Sequence, residues 1–177
     1  MPNLAKSLIF SESKQTIAVK HDDDLNHDYA VANFDLEIGT VISRSSNEIY
    51  DKPDMHTICV DENTHVTPDG NGKYLSHACS EGINCSVLVN IITKSYMVVT
   101  TKKVSAGDTL AFNYNTTEWD MSSPFQCACV TCKKDKSRLI SGFKHLSEHE
   151  KQSLLEMASP FIKAKIMSDT PILKPKL

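Results

Sequence analysis

The sequence predicts a mainly β fold of the α+β class, with short strands up to about Cys132 and helices closing the chain. Two patterns predict it. Short β-branched or aromatic runs recur between turn signals through the first part of the chain, and after Gly142 the apolar residues switch to helical spacing. A third observation locates the chemistry: an apolar, tyrosine-bearing strand, Asp108-Thr-Leu-Ala-Phe-Asn-Tyr114, runs into three closely spaced cysteines, Cys127, Cys129 and Cys132.

The strand-like runs are Thr16 to Val19, Tyr29 to Ala32, Thr40 to Ser43, Thr57 to Val60, Ser86 to Ile92 and Tyr96 to Thr101. Turn signals separate them at Gly39, Pro53-Asp54, Pro68-Asp-Gly-Asn-Gly72 and Ala106-Gly107. Beyond Gly142, Leu146, Leu154, Leu155, Met157, Phe161 and Ile162 follow helical spacing behind Ser147, an N-cap candidate with Glu150 three residues on. Two helices broken near Pro160 are expected, and the two prolines after Asp169 mark a tail. Repeats and low-complexity segments are absent.

With 177 residues, 40% of them hydrophobic, the chain can bury one core, with or without a small C-terminal subdomain. The opening run Met1 to Phe10 is too short and too weakly charged for a signal peptide, and no stretch approaches a membrane span. An intracellular chain, cytoplasmic or nuclear, is therefore expected, its six cysteines reduced and used for metal or burial rather than disulfides. A net charge of −3 gives no general reason to bind nucleic acid, and the basic cluster Lys133, Lys134, Lys136 and Arg138 is short. Cys79, in Tyr74-Leu-Ser-His-Ala-Cys79, supplies a fourth thiolate to Cys127, Cys129 and Cys132, which is the ligand number and type of a tetrahedral zinc site. Cys85 is the rival fourth ligand, and Cys59 reads as core.

These motifs together resemble those of SET-domain proteins with a post-SET zinc clasp, the family of protein-lysine methyltransferases. Tyr74-Leu-Ser-His-Ala-Cys79 followed by Asn84-Cys85 is similar to the family's Asn-His-Ser-Cys-x-Pro-Asn loop, and the strand ending at Tyr114 to its Glu-Leu-Thr-Phe-Asp-Tyr strand. Upstream, Tyr29-Ala-Val-Ala-Asn-Phe-Asp-Leu-Glu-Ile-Gly39 matches a segment that precedes both. The resemblance runs from about Ala18 to Lys144 and implies a fold of short sheets with a pseudoknot-like C-terminal part. It divides the chain into a SET domain over 1–118, with the tyrosine strand ending near 114, a post-SET zinc-binding segment over 119–143, a helical extension over 144–168 and a tail over 169–177.

The activity so implied is methyl transfer from S-adenosylmethionine to a lysine, or to another amine of a protein or small molecule. Tyr114 would be the catalytic residue, its hydroxyl steering the amine lone pair and its ring walling the channel. Ser76 and His77 would hold the cofactor, with Leu139 closing the adenine side. His27, Asp28 and Tyr29 occupy the place of the family's Gly-x-Gly, Ser76 that of its Asn, and Asn113 that of the Asp before the tyrosine. Because these departures gather in the cofactor pocket, a degenerate SET fold acting as a binding or regulatory module, and a SET-like scaffold recruited to other small-molecule chemistry, stay open as alternatives. Trp119 and Phe125 are expected to wall the substrate cavity, the other reading of Trp119 being a core anchor for the zinc segment.

Overall fold

The computed structural model describes residues 13–132 and 138–169. The opening run to Phe10, Lys133, Lys134, Lys136 and the tail beyond Asp169 lie outside them. In chain order the elements are a helical turn α1 (Ser13–Thr16), strands β1 (Ile17–Asp22), β2 (His27–Ala32), β3 (Val41–Tyr50), β4 (Ile58–Asp61), β5 (Thr64–Pro68), β6 (Ser76–His77), β7 (Cys85–Asn90), β8 (Ser95–Thr100), β9 (Ala111–Phe112), β10 (Phe125–Gln126) and β11 (Leu139–Ile140), then helices α2 (Glu148–Leu154) and α3 (Pro160–Asp169). The chain is thus mostly β, in several small sheets with two closing helices.

β-branched residues make the main sheet, whose five strands lie in the order β4-β5-β3-β8-β7, every neighbouring pair antiparallel. Its inner face, with Ile42, Val60, Val66 and Val98, is sealed from solvent together with Ala30 and Leu110. Strand β5 is absent from the predicted runs: it is five residues long, ends in proline, and is defined by partners on both sides rather than by its own pattern. Thr16, expected to start the first strand, instead ends α1.

Three segments distant in sequence are laid side by side outside that sheet, and they build the site. Ala32 N donates to Asp108 O and Leu110 N to Ala30 O, both at 2.9 Å, which fastens β2 to the run leading into β9. On its other side that run pairs in parallel with β6, Ser76 opposite Ala111 and His77 opposite Phe112. Asn84 locks the arrangement: its side chain donates to Thr109 O at 2.8 Å and accepts from Ala111 N at 2.9 Å. A buried asparagine fits here because one amide both donates and accepts.

The C-terminal part is stitched onto the segment after Tyr114. Gly142 N donates to the Asn115 side chain at 3.1 Å, Phe143 N to Glu118 O at 2.8 Å and Ser159 N to Thr116 O at 2.7 Å. Gly142 has φ +111°, and a Cβ there would lie 2.6 Å from Trp119 O, so both conformation and space require glycine. The helices pack Leu154, Ala158 and Ile162 around Phe143. Pro160 is the first residue of α3, where its missing N–H costs nothing, and the break lies just before it. Among the described residues no helix is long and apolar enough to cross a membrane.

Candidate active site and metal centre

The side-by-side packing of β2, β6 and β9 opens onto a cleft of about 1290 Å³. His27, Asp28 and Tyr29 line it from β2, Ser76 and His77 from β6, and Tyr114 and Phe125 from the later segments. Seven of the nine residues proposed for catalysis, cofactor and substrate therefore share one cavity. Trp119 and Leu139 are not among its lining residues. Trp119 stacks on Phe143, ring centroids 6.3 Å apart, as part of the cluster beneath the C-terminal helices, so it anchors that packing rather than walling the cleft. Leu139 sits in β11 opposite Gln126, half exposed.

Tyr114 follows β9 and opens a single 3₁₀ turn, Tyr114–Thr116, rather than lying within the strand. The turn is capped by Asn113, whose side-chain oxygen accepts from Asn115 N at 3.1 Å and whose amide donates to Cys79 O at 3.2 Å. A carboxylate at position 113 could not make the second bond, which accounts physically for an amide here. The Tyr114 hydroxyl donates to Leu75 O, and its ring lies edge-on to His77 and Phe125, 5.2 Å and 5.9 Å between centroids. Burial pushes the phenol well above its usual range, so at neutral pH it keeps its proton on Leu75.

His77 is committed at both nitrogens. Its Nδ1 accepts from Tyr114 N at 3.2 Å, and its Nε2 lies 3.3 Å from Cys79 Sγ. A backbone N–H can only donate, so the ring proton belongs on Nε2, facing the sulfur. Burial, and then the Arg138 charge, push the imidazole down to about 4, which keeps it neutral.

Cys79, Cys127, Cys129 and Cys132 bring their sulfur atoms within 4.8 Å of one another. Tetrahedral zinc with bonds of about 2.3 Å has sulfur–sulfur edges of about 3.8 Å. Cys79 is 3.7 Å from Cys127 and 3.6 Å from Cys132, so the donor set has the dimensions that ion requires. Burial and the neighbouring thiols Cys132 and Cys127 push Cys79 up, while Cys129, which burial alone would raise, is brought down to about 6 by hydrogen bonds from its neighbours. Cys85 is on β7, its thiol 3.3 Å from Asn84 Oδ1, and has no place in the cluster. Arg138, paired with Glu150, sets a positive charge near Cys79 and Cys132.

Glu118 was not singled out from the sequence, where it is one more polar residue of a loop. It lines the cleft, and its carboxyl accepts from Cys59 N at 3.0 Å and Thr117 Oγ1 at 3.1 Å. Burial pushes it up to about 7.

No protein-family profile matches the chain. It is 38% identical over 56 residues to the methyltransferase flvH of Aspergillus flavus, a match covering 32% of this chain and 29% of that protein. Among solved structures, the histone-bound complex of ATXR5 superposes with a TM-score of 0.47 at 15% identity, over 56% of this chain and 57% of that one. A second ATXR5 complex, of its SET domain with methylated histone H3, gives the same values. A candidate histone methyltransferase of Plasmodium falciparum gives 0.46 at 13% identity, over 56% and 93%. The chain thus matches under a third of the length of the curated relative and about half of the ATXR5 chain.

Proposed function

We propose that the chain is a SET-type methyltransferase that moves a methyl group from S-adenosylmethionine to a lysine or another amine. The observation that carries this reading is the Tyr114 hydroxyl, its proton spent on Leu75 O, at the wall of a cleft that His27, Tyr29, Ser76, His77 and Phe125 also line. The bound cofactor would supply an electrophilic methyl on a sulfonium.

The chain's own residues do the rest. With its proton committed to Leu75, the Tyr114 oxygen has only lone pairs to offer, so it accepts an N–H from an incoming amine and leaves the nitrogen lone pair turned away toward the methyl. The amine would have to arrive neutral, keeping its lone pair for the new N–C bond, and that nitrogen would lose a proton to solvent afterwards. An apolar wall built from the rings of Phe112, Tyr114 and Phe125 disfavours the ammonium form. Ser76 and His77, fixed by the parallel pairing of β6 with β9, line the cleft and would hold the cofactor. There His27, Asp28 and Tyr29 place side chains where a Gly-x-Gly would leave none, and Asp28 is held 2.8 Å from His21 across the hairpin. The metal centre is read as structural zinc held by Cys79, Cys127, Cys129 and Cys132: four thiolates leave no open position for chemistry.

Calorimetric titration of zinc-replete protein with S-adenosylmethionine and with its demethylated product tests the proposal. Saturable binding that survives Tyr114→Phe, together with methyl incorporation into a lysine or amine acceptor that does not, is the expected result. Absence of binding at millimolar ligand overturns it and leaves a non-catalytic module or a repurposed cavity.

A further inference from the structure

A second set of donor side chains lies apart from the four thiolates. Cys59 on β4 and His65 on β5 are direct cross-strand partners, and Glu118 reaches them from the segment after Tyr114. One donor atom from each of the three falls within 4.8 Å of the others, and all three are enclosed. None belongs to the Cys79 cluster.

Hydrogen bonding within the protein leaves this set incomplete. His65 is only 7% exposed, yet among the described residues its Nδ1 has no hydrogen-bond partner. An imidazole nitrogen taken out of water without a partner is costly, and such groups are rare in folded proteins. Among the described residues Cys59 Sγ has only the Asp61 carbonyl, 3.2 Å away. Glu118 is held in place by two donors on one oxygen, Cys59 N and Thr117 Oγ1, and carries no basic side chain against it in any ion pair among the described residues.

We propose that Cys59, His65 and Glu118 form a second metal site, for a divalent ion of the zinc type. The mixed sulfur, nitrogen and oxygen set suits a borderline ion, whereas magnesium and calcium seek oxygen alone. On binding, Cys59 gives its thiol proton to solvent and Glu118 binds as the carboxylate. Two anionic ligands then balance the dication, which leaves the buried site neutral. Three protein ligands leave a tetrahedral ion one further position. The ion would tie the β4–β5 hairpin to the wall of the cleft, since Glu118 lines that cavity.

The test is metal stoichiometry on the intact chain, purified under reducing conditions, loaded with zinc, freed of excess and measured by plasma mass spectrometry. Two ions per chain are expected for the native sequence, and one for Cys59→Ser and for His65→Ala. Cobalt titration of the native chain gives a reading that needs no variant. The sulfur-to-cobalt charge-transfer band should grow steeply for the first ion, bound by four thiolates, and by about a quarter of that for the second, which has one thiolate. A single ion in the native chain lost only with Cys79→Ser, or two ions retained in both Cys59→Ser and His65→Ala, overturns the proposal. Neither reading depends on methyl transfer, so this site and the proposed activity stand or fall separately.

Discussion

His77 faces the tyrosine with one ring nitrogen and a cluster thiol with the other, so a single side chain couples the four-cysteine cluster to the backbone of Tyr114. Donors to ligating groups commonly alter metal affinity by 10–100-fold when removed. His77→Ala should therefore weaken zinc retention by roughly that range, measured by competition with a chromophoric chelator. His77→Gln, which can donate to the sulfur, should recover part of it. Tyr114→Phe should leave cofactor affinity within about threefold while lowering methyl transfer by roughly 100-fold or more, because orientation at the reacting nitrogen is lost. It also orphans the Leu75 carbonyl, at a cost of about 1–3 kcal/mol that thermal unfolding would report. At this scale the sequence was legible where residues carry distinctive chemistry: Tyr114 and the four cysteines stood out by type and spacing. Glu118 and His65 did not, because what sets them apart is burial and a missing partner, and both arise only from the tertiary packing. Trp119 was left between two readings for the same reason, since one tryptophan in a loop fits a cavity wall and a packing anchor equally well, and its stacking on Phe143 arises only from the tertiary packing.

The capping box of α2 is complete: Ser147 accepts from Glu150 N and Glu150 accepts from Ser147 N at 2.9 Å, as its spacing in the sequence predicted. Ser147→Ala should cost about 1 kcal/mol of stability. Glu150 is held below its ordinary value of 4.5 by Ser147 first and Arg138 after. A depressed carboxylate stabilises the fold above its unfolded pKa, and that contribution is lost as pH falls through the lower folded value. Melting temperature measured from pH 6 down to pH 3 should accordingly drop less for Glu150→Gln than for the native chain. Gly142→Ala, which forces a Cβ against the Trp119 carbonyl at a positive φ, should destabilise by about 2 kcal/mol. Strands β7 and β8 were readable from their β-branched runs, and the closing helices from their start signals, the Ser147–Glu150 box of α2 and Pro160 at the head of α3. The two-residue strands β6, β9, β10 and β11 have none, and they exist only because distant segments meet.

For the molecule as a whole, the four cysteines matter because they bring together chain regions distant in sequence. Cys79 comes from the loop after β6, and the other three from the segment carrying Phe125, which packs with them and also lines the cleft. Removing the metal with a chelator should lower the melting temperature by roughly 10 °C, the shift that a few kcal/mol gives in a chain of this size. It should also abolish cofactor binding, and zinc should restore both. The overall class, short strands first and helices last, was legible from the order of β-branched runs, turn signals and capping residues along the chain. The packing of the helical ending against Trp119 was not, since helical spacing shows which face is apolar but not what it meets.

The parallel pairing of β6 with β9 has a consequence in time as well as in space. A hairpin forms as soon as its second strand leaves the ribosome, but a two-residue parallel pair whose members are separated by the whole β7–β8 hairpin must wait for that hairpin to form. Pairing of β6 with β9 therefore follows formation of the β7–β8 hairpin. The walls of the cleft thus meet across a loop that the β7–β8 hairpin has already shortened, and a change that slows that hairpin slows the cleft with it.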